Sequence, residues 1–254
     1  RLENETALAQ TVQGPDEVRR AVRQQVKGGV NWIKVAASGV TGSRFSAAEQ
    51  DDLSFDEIAA AVGEAAKFGK PVHAHAHSTD GIKAAVKAGV LSLHSGEYAD
   101  EEGFQLMLAR KTIFSPTIAW LHARCLPGYP PAADSDFRRA AWRAYRAAAD
   151  AITTARALGV KVAIGTDASH RFHHVPDGVL EMEYFQALGW PAPDIIRAAT
   201  SVAADAIGRG HETGTLTPGK RADILVVEGD PSQDVRLLRD KRNIWMLLKD
   251  GVEQ

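Results

Sequence analysis

The sequence predicts an α/β fold built on a parallel sheet, and three observations predict it. Short apolar segments of strand length alternate with amphipathic segments of helical period along most of the chain. Capping residues mark the seams, above all Ser54 standing three places before Glu57 in "SFDE" and Gly69 just beyond that helical pattern. After about Ile207 the texture changes to strand-like runs joined by turns. Strand–helix alternation implies parallel strands joined by right-handed crossovers, either in an open doubly wound sheet or in a barrel. At 254 residues the chain is long enough to bury a sizeable core.

Each element follows from its pattern. DEVRRAVRQQVKGG reads as a helix closed by glycines, and VNWIKVAAS as a mostly buried strand. The helix capped by Ser54 leads to the strand PVHAHAHS, the helix TDGIKAAVKAG, the strand VLSLHSG, the helix DEEGFQLMLARK and the strand TIFSPTIAW. A loop rich in Pro and Gly, LPGYPPAADSD, precedes a long helix ending at ARALG, and the strand VKVAIGTDAS follows. Two further helical patches end near Ile207, and TGTLTPGKRADILVVEGD and NIWMLLKDGVE form a small β appendage. Residues 1–207 and 208–254 are the expected units.

Composition narrows the partners. Thirty basic against thirty-two acidic residues, with a net charge of −2 and no block of like charge, give no electrostatic footprint for nucleic acid. A small-molecule substrate is expected instead. The single cysteine, Cys125, excludes an internal disulfide framework, fits a reducing compartment or simple indifference to redox state, and reads as an ordinary small core or surface residue. No apolar run approaches the roughly 20 residues of a membrane span, and RLENETALAQ has no apolar signal region. A cytoplasmic homo-oligomer without membrane contact is the expectation. The chain opens on Arg1 rather than Met, so a missing N-terminal segment or a companion chain is expected as well.

Five strand segments end in polar groups: Lys34, the histidines of VHAHAHS, His94, Ser115 with Thr117, and Asp167. In parallel α/β folds the carboxyl ends of the strands converge on one face, where ligands and catalytic groups gather. His, Asp and a modified Lys suit one or two divalent ions such as zinc, and metal-assisted hydrolysis is the natural chemistry. Strand geometry limits the histidines: His73 and His77 stand about 13 Å apart at ~3.3 Å per residue, too far for one ion with bonds of about 2.0–2.1 Å. At most an adjacent pair can share a metal. Lys34 within an apolar strand is unusual, because burial lowers an ammonium pKa, and a neutral amine can add carbon dioxide to become an anionic carbamate ligand. Asp167 follows the apolar run VAI, where a carboxylate can bind a metal and take a proton from the water that the metal acidifies.

With these residues in place the chain resembles the amidohydrolase superfamily, in particular its imidazolonepropionase-like and Xaa-Pro dipeptidase-like metal hydrolases. The resemblance runs from "NWIKVAASG" through "GKPVHAHAHS", "AGVLSLHSG", "SPT" and "GVKVAIGTDA" to "RAATSVAADAIG", "GTLTPGKRADILVVEGDP" and "LLKDGV". It implies a TIM-type (β/α)8 barrel, of which strands four to eight are present, with a small β-sandwich appendage. It also implies one or two divalent metals at the barrel mouth and hydrolysis of amide-like C–N bonds, as in an amide, urea, carbamate or dipeptide. Lys34 matches the strand-four lysine that is carboxylated to bridge the metals, and His75 the strand-five ligand. Asp167 matches the strand-eight aspartate that binds metal and moves the proton, and His77 a position that faces substrate. His73 becomes a packing or supporting residue.

Two departures stand out. The family's His-x-His pair on its first strand has no counterpart here, so about three strands and half the sandwich are expected to lie elsewhere. The family commonly reads "SIEHG" where this chain has "SLHSG", which puts Ser95 at the ligand position and His94 beside it. Neighbouring strand residues face opposite ways, so His94 serves as the metal ligand only if the strand bulges or ends early; it is still preferred to Ser95, since a hydroxyl is a poor zinc donor. The rival functions are a non-catalytic binding or assembly protein on this scaffold, and a mononuclear hydrolase or deaminase with Lys34 unmodified. Substrate choice is not legible; Trp120, Leu121, Tyr129 and Phe172 suggest only an apolar group.

Overall fold

The computed structural model describes residues 10–39, 48, 50–126, 135–168 and 178–254. Helix α1 (Gly14–Lys27) starts with Pro15 in its first turn, where a missing N–H costs nothing, and places Asp16 and Glu17 at its positive end. After β1 (Ile33–Ala36) the expected capping box opens α2 (Phe55–Ala66): Ser54 Oγ accepts from the Glu57 amide, and the Glu57 carboxylate accepts from the Ser54 amide at 2.8 Å. Next come β2 (Val72–Ala76), α3 (Thr79–Ala88), β3 (Ser92–Ser95), α4 (Glu101–Arg110) and β4 (Ile113–Ser115). Ser78 and Asp100 cap α3 and α4 through their side-chain oxygens, so each crossover helix starts directly at the end of a strand.

These strands form a four-stranded parallel sheet in the order β1-β2-β3-β4, with Lys34 beside His73 and His75 beside His94. The segment VKVAIGTDAS does not form the full strand its pattern predicts. It joins β4 through a single parallel bridge, Phe114 to Val162, held by Phe114 N donating to Lys161 O at 2.9 Å and Ala163 N donating to Phe114 O at 2.8 Å.

A second difference lies in TIFSPTIAW. Only Ile113–Ser115 is extended; Pro116 and a left-handed Thr117 (φ +53°) break the strand, and α5 (Ile118–Cys125) begins at once. Buried Glu181 supplies the helix cap that the local sequence lacks, accepting from the amides of Ile118 and Ala119 at 3.0 and 2.7 Å. Then follow α6 (Ser135–Leu158), α7 (Gly178–Ala187), α8 (Ala192–Ala199) and α9 (Ser201–Ala206), so the last helical stretch holds three short helices rather than two.

The core lies between the sheet and its crossover helices. Ile58, Ala61, Ile82, Val86, Leu93, Met107 and Phe114 are fully buried there. At the end of β3, Gly96 takes φ +72°, and a Cβ on it would meet Phe114 Cε2 at 2.7 Å and Leu93 Cδ2 at 3.2 Å. Gly96→Ala is therefore expected to cost roughly 1–3 kcal/mol from the left-handed backbone and the overpacked ring. Urea unfolding midpoints check it, and an unchanged midpoint would refute the clash.

β5 (Ile224–Val227), β6 (Ile244–Lys249) and β7 (Val252–Glu253) form a separate antiparallel sheet, order β5-β6-β7. A 3-10 turn, Val235–Arg239, ties this region to the rest: Val235 is fully buried in the main core and its amide donates to Gln186 Oε1 at 3.0 Å. Alternation along β6 leaves Trp245 71% exposed, beside Leu225 and Leu247 on the same outer face. Among the described residues neither closure of the parallel sheet into a barrel nor a second sheet facing β5–β7 is seen. No described helix is long and apolar enough to cross a membrane.

Candidate metal centre

The register sets the site. Lys34 pairs with His73 and His73 with Ser92; one step along, Ala36 pairs with His75, His75 with His94 and His94 with Ser115. In-register neighbours of parallel strands share a face. Lys34, His73, His75, Ser92, His94 and Ser115 thus stand on the same side of the sheet, with no bulge needed to bring His94 there.

Two hydrogen-bonded groups divide this face. In the first, Lys34 Nζ lies 2.5 Å from His94 Nδ1, His94 Nε2 lies 2.9 Å from Ser92 Oγ, and the same hydroxyl lies 2.6 Å from His73 Nδ1. Both ring nitrogens of His94 are therefore engaged. In the second, the His75 and His77 rings meet edge to face with centroids 4.4 Å apart. His75 Nδ1 lies 3.3 Å from Ser95 Oγ, and His77 Nδ1 lies 2.6 Å from both carboxylate oxygens of Glu97. Nε2 of each ring is buried without a hydrogen-bond partner among the described residues.

Ser95 reaches His75 because its backbone is left-handed, φ +74°, which undoes the alternation that would turn its side chain away. Thr117 (φ +53°) and Asp167 (φ +50°) share that conformation at the ends of the two following strand segments. Non-glycine residues held there carry strain of order 1–3 kcal/mol and gather at functional sites.

Electrostatics separates the ligands from the charges. Burial, helped by neighbouring cationic groups, lowers His73 to about 4 and both His75 and His94 to about 3, so all three rings are neutral at physiological pH. Desolvation of the amine among its neighbours lowers the Lys34 ammonium to about 8, opposed by the negative charge of Asp167. Lys34 stands at an exposed position of β1. It lies on the outer strand of the described sheet and keeps an exposed surface, while its amine is walled by imidazoles.

The donor set fits a metal in part. Neutral imidazoles whose Nε2 lone pairs are buried and unpaired are what a borderline divalent ion takes, and His75, which also bonds the Gly39 backbone, offers one among the described residues. Among the described residues no three His, Cys, Asp or Glu side chains already converge on one point. Asp167 is exposed and is brought near Lys34 by charge rather than into a finished ligand shell.

Two participants escape the sequence reading. Glu97, buried beside His77, and Ser38, whose Oγ accepts from the His77 amide at 2.7 Å, pair across 20 and 39 residues, and no local pattern announces such pairings. Of the residues proposed to form an apolar subsite, Leu121 is core and Trp120 lies under the Arg124 guanidinium at 4.2 Å. Tyr129 and Phe172 lie outside the described residues.

Known proteins share this arrangement of elements. A family model described as "Amidohydrolase family" matches residues 4–253. Ochratoxinase of Aspergillus niger is 32% identical over 246 residues, covering 94% of this chain and 49% of its own length. Imidazolonepropionase of Caldanaerobacter subterraneus subsp. tengcongensis is 30% identical over 189 residues, covering 71% of this chain and 39% of that protein. Among solved structures, a Xaa-Pro dipeptidase with bound methionine in the active site superposes with a TM-score of 0.87 at 31% identity, over 96% of this chain and 59% of that one. The chain spans about half the length of ochratoxinase.

Proposed function

The chain belongs to the amidohydrolase family, and on that premise we propose that it carries the strand-end half of a metal-dependent hydrolase that cleaves an amide-like C–N bond with water. One observation supports the reading above the others: His75, neutral and held through Nδ1, presents a buried Nε2 with no partner among the described residues at the carboxyl edge of a parallel sheet. A divalent ion, zinc being the best match to an imidazole donor, would polarise the substrate carbonyl and acidify water when bound. Lys34, His75, His94 and Asp167 remain the proposed ligand set. The proposal includes a TIM-type barrel portion in residues 1–207, a sandwich portion in 208–254, a homo-oligomer and a cytoplasmic site of action.

The residues divide the work. Asp167 accepts the proton of the attacking water and returns it to the leaving nitrogen. Its charge also sustains the ammonium of Lys34; as an amine, Lys34 can add carbon dioxide at Nζ and become an anionic oxygen donor. Ser95 and the Gly39 backbone orient His75. In a single-ion and in a paired form alike, an ion held by His94 would have to displace Lys34 or Ser92 from its ring.

The experiment is metal analysis of the full-length protein together with its mass by native spectrometry. Close to one equivalent of bound zinc and an unmodified Lys34 support the single-ion form; two equivalents with a carbon dioxide increment support the paired form. Less than about half an equivalent, at a site whose ligands are already deprotonated, would sink both.

A further inference from the structure

We propose that His77 is a second nitrogen ligand on the ion that His75 holds, and that Glu97 is the positioning residue that prepares it. The inference rests on the metal reading above and assigns to it a donor pair supplied by one extended segment.

Spacing and ring geometry agree. His75 lies in β2 and His77 stands two residues on, just past the strand's end, the separation at which two side chains of one extended segment can share an ion. Their rings have tipped together to 4.4 Å between centroids at 81°. Two imidazoles bound to one ion through bonds of about 2.0–2.1 Å, at roughly 90–110°, have centroids about 4.5–5 Å apart. The observed 4.4 Å between centroids falls at the short edge of that range.

Burial excludes the simpler roles for His77. It is wholly enclosed, so it is not a surface that a substrate brushes, and a packed core histidine would have both nitrogens satisfied. Only Nδ1 is. Glu97 sets that asymmetry: with both carboxylate oxygens 2.6 Å from Nδ1, the ring proton stays on Nδ1 and Nε2 is left with its lone pair. A carboxylate behind a histidine is the arrangement that orients metal-ligating imidazoles and raises their basicity. Ser38 completes the support, its Oγ accepting from the backbone amides of His77 and Ser78 at 2.7 and 3.3 Å.

The test titrates metal-free full-length protein with Co2+ alone, following its visible ligand-field absorption, and compares His75→Ala, His77→Ala, His77→Gln and Glu97→Gln. In Glu97→Gln the amide can donate to Nδ1 and drive the proton to Nε2, so Co2+ affinity is expected to fall about 10–100-fold with a near-isosteric side chain. His77→Ala and His77→Gln are expected to weaken binding further and change the spectrum. Nitrogen-15 shifts of His77 in the metal-free protein give an independent reading: proton on Nδ1 in the wild type, redistributed in Glu97→Gln. If His77→Gln and Glu97→Gln bind Co2+ like the wild type while His75→Ala does not, the inference falls and the metal reading stands. If the wild type takes up no Co2+, both fall.

Discussion

Asp167→Asn is expected to lower C–N hydrolysis by about two to four orders of magnitude, the share that a positioned proton-transfer group contributes, while thermal unfolding stays within about 0.5 kcal/mol of wild type. The two halves of this result have separate causes. The amide keeps the size of the carboxylate but cannot take a proton. Stability is spared because Asp167 is exposed and its left-handed backbone, φ +50°, is one that asparagine adopts as readily as aspartate. Alanine would be a poorer probe, since it adds backbone strain. Removal of the charge also withdraws the influence that holds the Lys34 ammonium up, so its pKa falls further below about 8. Steady-state kinetics on an amide substrate, beside a melting curve, checks both halves; undiminished turnover would remove Asp167 from the mechanism.

Glu181→Gln is expected to change how stability depends on pH. Burial raises the Glu181 carboxyl to about 8, outweighing the two backbone amides that favour its ionised form. A folded-state pKa above the unfolded value of about 4.3 means that the folded chain keeps a proton which the unfolded chain releases. This contribution is fully present below the unfolded pKa and is lost as pH rises to about 8. Relative to Glu181→Gln, the wild type should therefore lose on the order of a few kcal/mol between about pH 4.3 and 8, and nothing beyond. The buried histidines add an opposite slope at acid pH, with stability lost as pH falls below about 6.5, but both proteins carry it and it cancels in the difference. Denaturant unfolding of the pair from pH 4 to 9 decides the matter. A wild type that gains on the variant as pH rises would mean that the two amides win and the carboxylate is ionised.

Much of this arrangement is legible in the sequence because local rules govern it. The capping box at Ser54 needs only residues three apart, and the shared face of His73 and His75 needs only the two-residue period of a strand. His94 shows the limit of that logic. Alternation correctly separates His94 from Ser95, but it cannot foresee that a left-handed Ser95 brings its hydroxyl to His75. The helix at Ile118 was hidden for a related reason: its cap, Glu181, stands 63 residues away from Ile118. Lys34 reads as one polar residue in an apolar strand, yet its contact with His94 spans 60 residues and lies in no window of sequence.

The placing of His75, His77, Ser95 and Glu97 within one strand–helix–strand unit has a consequence for the order of synthesis. Glu97 precedes Asp167 by 70 positions (167 − 97), or roughly 4–14 s of translation at ~5–20 residues per second. The two imidazoles and the carboxylate behind one of them pair across only 20 residues, so they can assemble before the proton acceptor has been made. On the proposed reading, a nascent chain would therefore hold its nitrogen donors before the residue proposed to move the proton is made, and the ion would be chosen from those that the chain meets during synthesis.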